Sequence, residues 1–185
     1  DGHRFGFFPA FSLAWNIAEE KFIKKHLKWM NMFKLRYSYG KVGNDTMNDR
    51  FPYLPSFGNS SGNGFNYSDL ETSYFYDGLT YTKYATTNVT WEIATKQDLG
   101  IDFSFFNDKL SGSIDYYHEK RTGIYMGRAY LPGIVGLTGS NPSGNVGEVK
   151  SEGFDGNFTF KQKLGKVNLT VRGNMTYGKN EILER

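Results

Sequence analysis

The sequence predicts an all-β fold, a fragment of an antiparallel up-and-down transmembrane β-barrel with about six strands and one short helix in a periplasmic turn. Three observations predict this fold. Apolar and polar residues alternate over stretches longer than the roughly 5–6 residues of an average soluble strand. The connections between these stretches alternate between short and long. Aromatic residues gather near both ends of the stretches, as they do in the interfacial girdles of membrane barrels.

The clearest alternating segments are residues 91–106 and 109–121. In the first segment the apolar side chains occupy odd positions, including Phe103, and the polar ones occupy even positions, including Ser104. The dipeptide Asn107-Asp108 between the two segments is a tight-turn signal. We therefore predict a β-hairpin with one apolar and one polar face, since a register slip of one residue would invert both faces.

Four further segments show the same alternation and are predicted strands: residues 7–17, 33–42, 145–161 and 167–177. Residues 18–30 break the alternation, because their apolar side chains recur at helical spacing among acidic and basic residues. A short amphipathic helix is therefore predicted between the first two strands. A basic amphipathic helix can lie on a membrane surface, but a structured strand connection is the preferred interpretation.

Two long connections, residues 44–87 and 123–144, are predicted to be loops in which parts such as residues 73–76 pair locally. Both loops contain aromatic residues whose flat rings suit the C–H faces of sugars and whose hydroxyl groups donate and accept hydrogen bonds. The candidate substrate-contact residues are Tyr67, Tyr74, Tyr76, Tyr125 and Tyr130. The alternative is that these rings pack the loops internally or meet a partner protein.

The composition argues against several kinds of chemistry. The chain has no cysteine, which removes disulfide frameworks and thiol catalysis. The formal net charge is +3, and basic and acidic residues are interspersed, so nucleic acid is not a predicted partner. Three histidines lack metal-ligand spacing. Carboxylates such as Asp115 and Glu119 are explained by polar alternation rather than by glycosidase chemistry. We predict no enzymatic activity, no catalytic residue, no metal and no cofactor.

The residues alone leave two function classes open. A secreted carbohydrate-binding or adhesin β-sandwich also has alternating strands, and its exposed Tyr and Trp would bind sugar directly. A siderophore receptor would share the barrel architecture. The chain begins and ends inside patterned sequence, so we expect an internal fragment of a larger protein.

Four segments carry a resemblance to a known family: RFGFFPAFSLAWNIAEEKF (4–22), FKLRYSYGKVGND (33–45), residues 88–124, and GNVGEVKSEGFD (144–155). Together, in this order and spacing, they cover most of the predicted strands. The chain resembles the C-terminal part of the β-barrel of SusC/RagA-like TonB-dependent outer-membrane transporters.

The resemblance implies a plugged barrel of about 22 strands, of which residues 1–185 would be a partial barrel domain without the plug and the remaining strands. It implies import of oligosaccharides or peptides across the outer membrane of a Gram-negative bacterium. The implied partners are membrane lipid, a SusD-like surface lipoprotein, and the TonB energy-coupling complex acting through the missing plug region.

Overall fold

The computed structural model describes residues 5–47, 50–68, 73–128 and 141–184. Within these ranges the chain forms eight strands and one short α-helix, which a single 3-10 turn at Ile17–Glu19 precedes. In chain order the elements are β1 (Ala10–Asn16), α1 (Lys21–His26), β2 (Met30–Asn44), β3 (Ser56–Ser68), β4 (Ser73–Lys83), β5 (Glu92–Phe105), β6 (Leu110–Gly127), β7 (Ser143–Leu164) and β8 (Val167–Glu184).

Six of the strands form one antiparallel sheet in the order β1-β2-β5-β6-β7-β8. Strands β3 and β4 form a separate two-stranded sheet that is inserted in the chain between β2 and β5. Neighbours in the large sheet follow one another in the chain apart from this insertion, which is the up-and-down connectivity that the sequence predicts. The large sheet is open, with β1 at one edge and β8 at the other.

The predicted hairpin and its faces are confirmed. Ile101 lies opposite Ile114, and Asp102 lies opposite Ser113. The turn is longer than the predicted dipeptide, because the four residues between Phe105 and Leu110 form it. Phe106, Asn107 and Asp108 all have positive φ, at 57°, 56° and 61°. Such left-handed residues are uncommon, so this wider turn was not predictable from the dipeptide alone.

One face of the six-stranded sheet is apolar and exposed. Side chains such as Leu13, Ile114 and Met175 are 68%, 51% and 62% exposed. Among the described residues no large apolar side chain is buried, and Ala18, at 3% exposure, is the one buried aliphatic or aromatic residue apart from Pro52. No second sheet covers the apolar face within the described ranges, so the β-sandwich alternative finds no support. An apolar face of this extent needs a cover from outside the chain segment itself.

The apolar band runs obliquely across the strands. On β1 it is centred on Leu13, which the strand pairings place in the same row as Tyr177 on β8. On β8 the band extends from Val167 to Tyr177. The centre of the band on β8 therefore lies about five residues, roughly 17 Å, along the strand from the row that contains Leu13 and Tyr177. This displacement accumulates over five strand spacings of about 4.8 Å each. This displacement corresponds to a strand tilt of roughly 35°, which is within the range of membrane barrels.

Several predicted boundaries are corrected. The connection at residues 44–87 is not a loop throughout, because β3 and β4 form a hairpin longer than the local pairing expected at residues 73–76. The predicted helix at residues 18–30 is shortened to α1, and β2 already begins at Met30. Strands β6 and β8 continue to Gly127 and Glu184, past their predicted ends. No helix among the described residues is long and apolar enough to span a membrane.

Candidate functional site

The β3–β4 hairpin, called the aromatic hairpin from here on, brings together three of the five predicted substrate-contact residues. Tyr67 lies directly opposite Tyr74, and Phe65 lies opposite Tyr76. Because side chains two residues apart share a face of a strand, these four rings lie on one face. They are between 50% and 68% exposed, so the face is open to a ligand.

The other face of the aromatic hairpin is also aromatic. The ring centroids of Phe57 and Tyr81 are 4.5 Å apart, and Tyr84 stacks on Tyr81 at 5.0 Å. Phe75 lies across Gly64, where a side chain would meet its ring at 2.2 Å. Strand β3 contains no charged residue. The aromatic hairpin therefore offers two largely neutral surfaces rich in rings.

Hydrogen bonds hold the end of the aromatic hairpin that adjoins the main sheet. Lys83 Nζ donates to the Phe51 carbonyl at 2.6 Å, and the Thr86 amide donates to the Pro52 carbonyl at 2.8 Å. The Thr86 hydroxyl donates to the carbonyl of Ser143, where β7 begins, at 2.8 Å. These bonds tie the inserted hairpin to the long-loop end of the main sheet.

Asn145 joins three neighbouring segments at the same end of the sheet. Its Oδ1 accepts from the Thr90 amide at 2.9 Å, and its Nδ2 donates to the carbonyls of Thr90 and Gly123 at 2.9 and 2.7 Å. Gly123 has a φ of +71° at an irregularity in the β6–β7 pairing, a conformation that favours glycine. Sequence reasoning treated Asn145 only as the start of a strand, because nothing in the sequence shows that its amide bridges other strands.

Of the two remaining predicted contact residues, the structure describes Tyr125, and it does not lie in the aromatic hairpin. The prediction that Tyr125 lies in a loop is wrong, because β6 continues through it and pairs it with Asn145. Tyr125 is nevertheless at the long-loop end of the sheet, near the Asn145 bridge. Tyr130 lies outside the described residues, so its place relative to the hairpin stays a prediction.

The polar face of the sheet carries an ion-pair cluster at mid-strand. The Arg36 guanidinium binds both carboxylate oxygens of Asp102 at 2.8 and 2.9 Å, and it reaches Asp115 at 2.8 Å. It crosses Gly100 to do so, since a side chain there would lie 2.2 Å from the Asp115 carboxylate. The bidentate geometry is the strong form of this contact. Three strands are thereby joined across the polar face.

A second cluster lies on the same face, nearer the long loops. Glu119 accepts a hydrogen bond from Arg121 and lies 3.3 Å from the Lys96 ammonium. Arg121 is also 3.9 Å from Glu92. Asp115 and Glu119 are therefore both engaged by cations, which agrees with their interpretation as alternating polar residues. Among the described residues no group of three or more His, Cys, Asp or Glu could hold a metal ion.

The sequence matches the family described as TonB dependent receptor-like, beta-barrel over residues 1–184. It is 32% identical to "TonB-dependent receptor P39" of Formosa agariphila over 97% of this chain and 16% of that protein. It is 29% identical to "TonB-dependent receptor SusC" of Bacteroides thetaiotaomicron over 97% of this chain and 17% of that protein. The chain thus spans less than a fifth of the length of these relatives.

Two solved structures share the fold. The RagAB peptide importer in its closed-closed state superimposes with a TM-score of 0.71 at 20% identity, covering 100% of this chain and 19% of that one. The RagAB peptide transporter gives a TM-score of 0.70 at 22% identity, covering 99% and 19%. The open six-stranded sheet therefore has the architecture of a barrel wall, which confirms the predicted fold class.

Proposed function

The chain belongs to the TonB-dependent receptor-like β-barrel family, and from that premise we propose that it forms part of an outer-membrane transporter that imports a nutrient with energy from TonB. Residues 1–185 would supply six wall strands and one surface hairpin. The plug and the remaining strands would come from other parts of the whole protein. TonB would act on this assembly through the plug.

The oblique apolar band is the observation that carries this proposal. Its rows of exposed apolar side chains are not covered by any part of the chain that the structure describes, whereas the opposite face is polar and tied by ion pairs. In a membrane barrel, lipid covers the apolar outer face, and water or the plug covers the polar inner face. A Gram-negative outer membrane is the setting in which such barrels are built.

We propose that the substrate is an oligosaccharide or a peptide that touches the aromatic hairpin. Tyr67, Tyr74 and Tyr76 would contact it from the hairpin, Tyr125 from the end of β6 and Tyr130 from the β6–β7 connection. Exposed rings on one face of a hairpin suit both sugar C–H faces and apolar peptide side chains. The absence of charge in β3 favours neutral stretches of either substrate.

A SusD-like surface lipoprotein is the proposed partner on the long-loop side. The second aromatic face, with Phe57, Tyr81 and Tyr84, offers it an apolar surface that the substrate face does not use. Aromatic residues of this kind are enriched where proteins meet. Dividing the two hairpin faces between substrate and lipoprotein makes their roles separable by mutation.

The test is uptake and substrate affinity of the intact transporter carrying Tyr74→Ala or Tyr76→Ala, compared with Tyr81→Ala on the opposite face, which should weaken lipoprotein pull-down rather than substrate affinity. We expect the first two to weaken substrate binding by about 2- to 10-fold each, since one aromatic contact is worth about 0.5–1.5 kcal/mol. Barrel assembly and lipoprotein pull-down should stay normal in these two variants. Unchanged affinity in both variants, or loss of the lipoprotein complex instead, would remove these residues from the substrate site.

A further inference from the structure

The connection between β1 and β2 carries a dense group of basic residues. Residues 21–28, called the basic segment from here on, contain four lysines and one histidine: Lys21, Lys24, Lys25, His26 and Lys28. Lys24 is paired with Glu19 at 2.6 Å. The exposed ammonium groups of Lys21, Lys25 and Lys28 make no ion pair with any described residue.

The residues that flank the basic segment lie on the apolar face of the sheet rather than on the polar face. Before it, the indole nitrogen of Trp15 donates to Glu20 at 3.0 Å. After it, Trp29 lies edge-on to Phe105 at 5.2 Å and stacks on Phe106 at 5.5 Å. Trp15 and Phe105 both belong to the apolar face. The basic segment is therefore seated at the short-turn margin of the apolar band.

Hydrogen bonds hold this margin in place. The Phe106 amide donates to the Trp29 carbonyl at 2.7 Å, and the Asn107 amide donates to Asn31 Oδ1 at 2.9 Å. The connection after β1 and the turn after β5 are thus joined side by side. Phe106 and Trp29 remain 54% and 43% exposed, and Trp29 directly follows Lys28 in the chain.

The opposite margin of the apolar band is mostly neutralised within the sheet. There the outward-facing charges on β6, β7 and β8 form pairs of opposite sign: Lys120 with Glu148 at 2.7 Å, Lys150 with Glu152 at 2.9 Å, and Lys179 with Glu181 at 3.7 Å. Lys41 on β2 also faces outward at this margin and makes no ion pair with a described residue. Among the described residues, three uncompensated lysines are therefore grouped within one short segment at the short-turn margin, next to the exposed ring of Trp29. This asymmetry needs a partner of negative charge on that side.

We propose that the basic segment binds the anionic headgroups of phospholipids in the leaflet that faces the short turns, with Trp29 and Phe106 inserted at the interface. The inference rests on the proposed membrane location of the apolar band. Lysines beside a bilayer are attracted by anionic lipid, and aromatic rings prefer the headgroup level. The exposed ring of Phe22 lies within the same segment and adds apolar contact.

The experiment measures phosphatidylglycerol binding to the intact transporter by native mass spectrometry. The variant is Lys21→Gln, Lys25→Gln and Lys28→Gln together. The matched control is Lys120→Gln, Lys150→Gln and Lys179→Gln, which removes the same charge from the opposite margin. Each lysine near an anionic surface strengthens binding by about fivefold, so we expect more than about tenfold weaker binding in the first variant and little change in the control.

Three outcomes would overturn the inference. The first is equal phosphatidylglycerol binding by the wild type and the basic-segment variant. The second is an equal loss in both triple variants, which would mean that net charge alone matters. The third is displacement of the lipid by an equal concentration of inorganic phosphate, which would assign the site to a free anion.

A companion measurement separates this inference from the proposed function. The transporter is placed in nanodiscs of phosphatidylethanolamine alone or mixed with phosphatidylglycerol, and amide exchange is measured over residues 21–28. We expect slower exchange in the mixed discs, with the difference lost at high salt. A transporter that inserts and imports in both discs without this difference overturns the inference alone. Failure to insert in either disc overturns the lipid-facing band as well.

Discussion

Replacing Leu13 by arginine tests the lipid-facing band where the chain offers a closely matched control. Leu13 is centred in the band on β1 and is 68% exposed in the open sheet. Its neighbour Ser12 is also exposed but points to the polar face. Ser104 would be a poor control, because it is 5% exposed and its hydroxyl donates to Asp108.

An arginine near the bilayer midplane costs about 2–4 kcal/mol in a membrane barrel, and less near the interfaces. Leu13→Arg should therefore lower the folded-to-unfolded ratio of the intact transporter by roughly 30- to 1,000-fold. Ser12→Arg places the same group on the polar face, where water or counter-charges reach it, and should cost less than about 1 kcal/mol. The assay is denaturant-induced unfolding in lipid vesicles, followed by heat-modifiability on gels. Equal losses in the two variants would refute the assignment of faces.

Three further predictions concern the ion-pair cluster on the polar face, the Asn145 bridge and the open sheet. Arg36→Gln should destabilise the intact barrel by about 1–2 kcal/mol. Adding Asp102→Asn should recover part of that loss, because fewer unpaired charges remain. A double-mutant cycle measures the coupling between the two residues. Asn145→Ala removes hydrogen bonds to Thr90 and should speed amide exchange there while costing about 1–3 kcal/mol; unchanged exchange would contradict the bridge. Residues 1–185 alone should not fold as a soluble monomer, since the sheet has two open edges and an uncovered apolar face; a dispersed NMR spectrum in detergent-free buffer would contradict this.

The main sheet was predictable because its strands are long and two-faced. In β5 the period-two pattern places Phe103 and Asp102 on opposite sides without ambiguity, and a slip of one residue would expose every charge to the apolar side. Aromatic residues at the strand ends then indicated a membrane rather than a second sheet as the cover. The strand pairings agree with that reasoning from β1 to β8.

The sequence predicts local pairing at residues 73–76 but not the full aromatic hairpin, for a physical reason. Strand β3 is rich in Gly, Asn and Ser, which are not typical strand formers, and its pairing with β4 is irregular between Ser60 and Phe65. Cross-strand ring pairs such as Phe57 with Tyr81 stabilise the hairpin, and the sequence alone does not align them. Arg36 was likewise assigned only to a polar face, because its pairing with Asp102 and Asp115 depends on register and on the open space above Gly100.

The central claim, that one face of the sheet meets lipid and the other the barrel interior, is tested most directly by spin labels along β8. Labels are placed singly at residues 169–175 of the intact transporter in lipid vesicles, and their accessibility to dissolved oxygen is measured. The account predicts a period of two, with high oxygen accessibility at Leu169, Val171 and Met175 and low accessibility at Thr170 and Asn174. Accessibility without this period, or with the opposite phase, would contradict it.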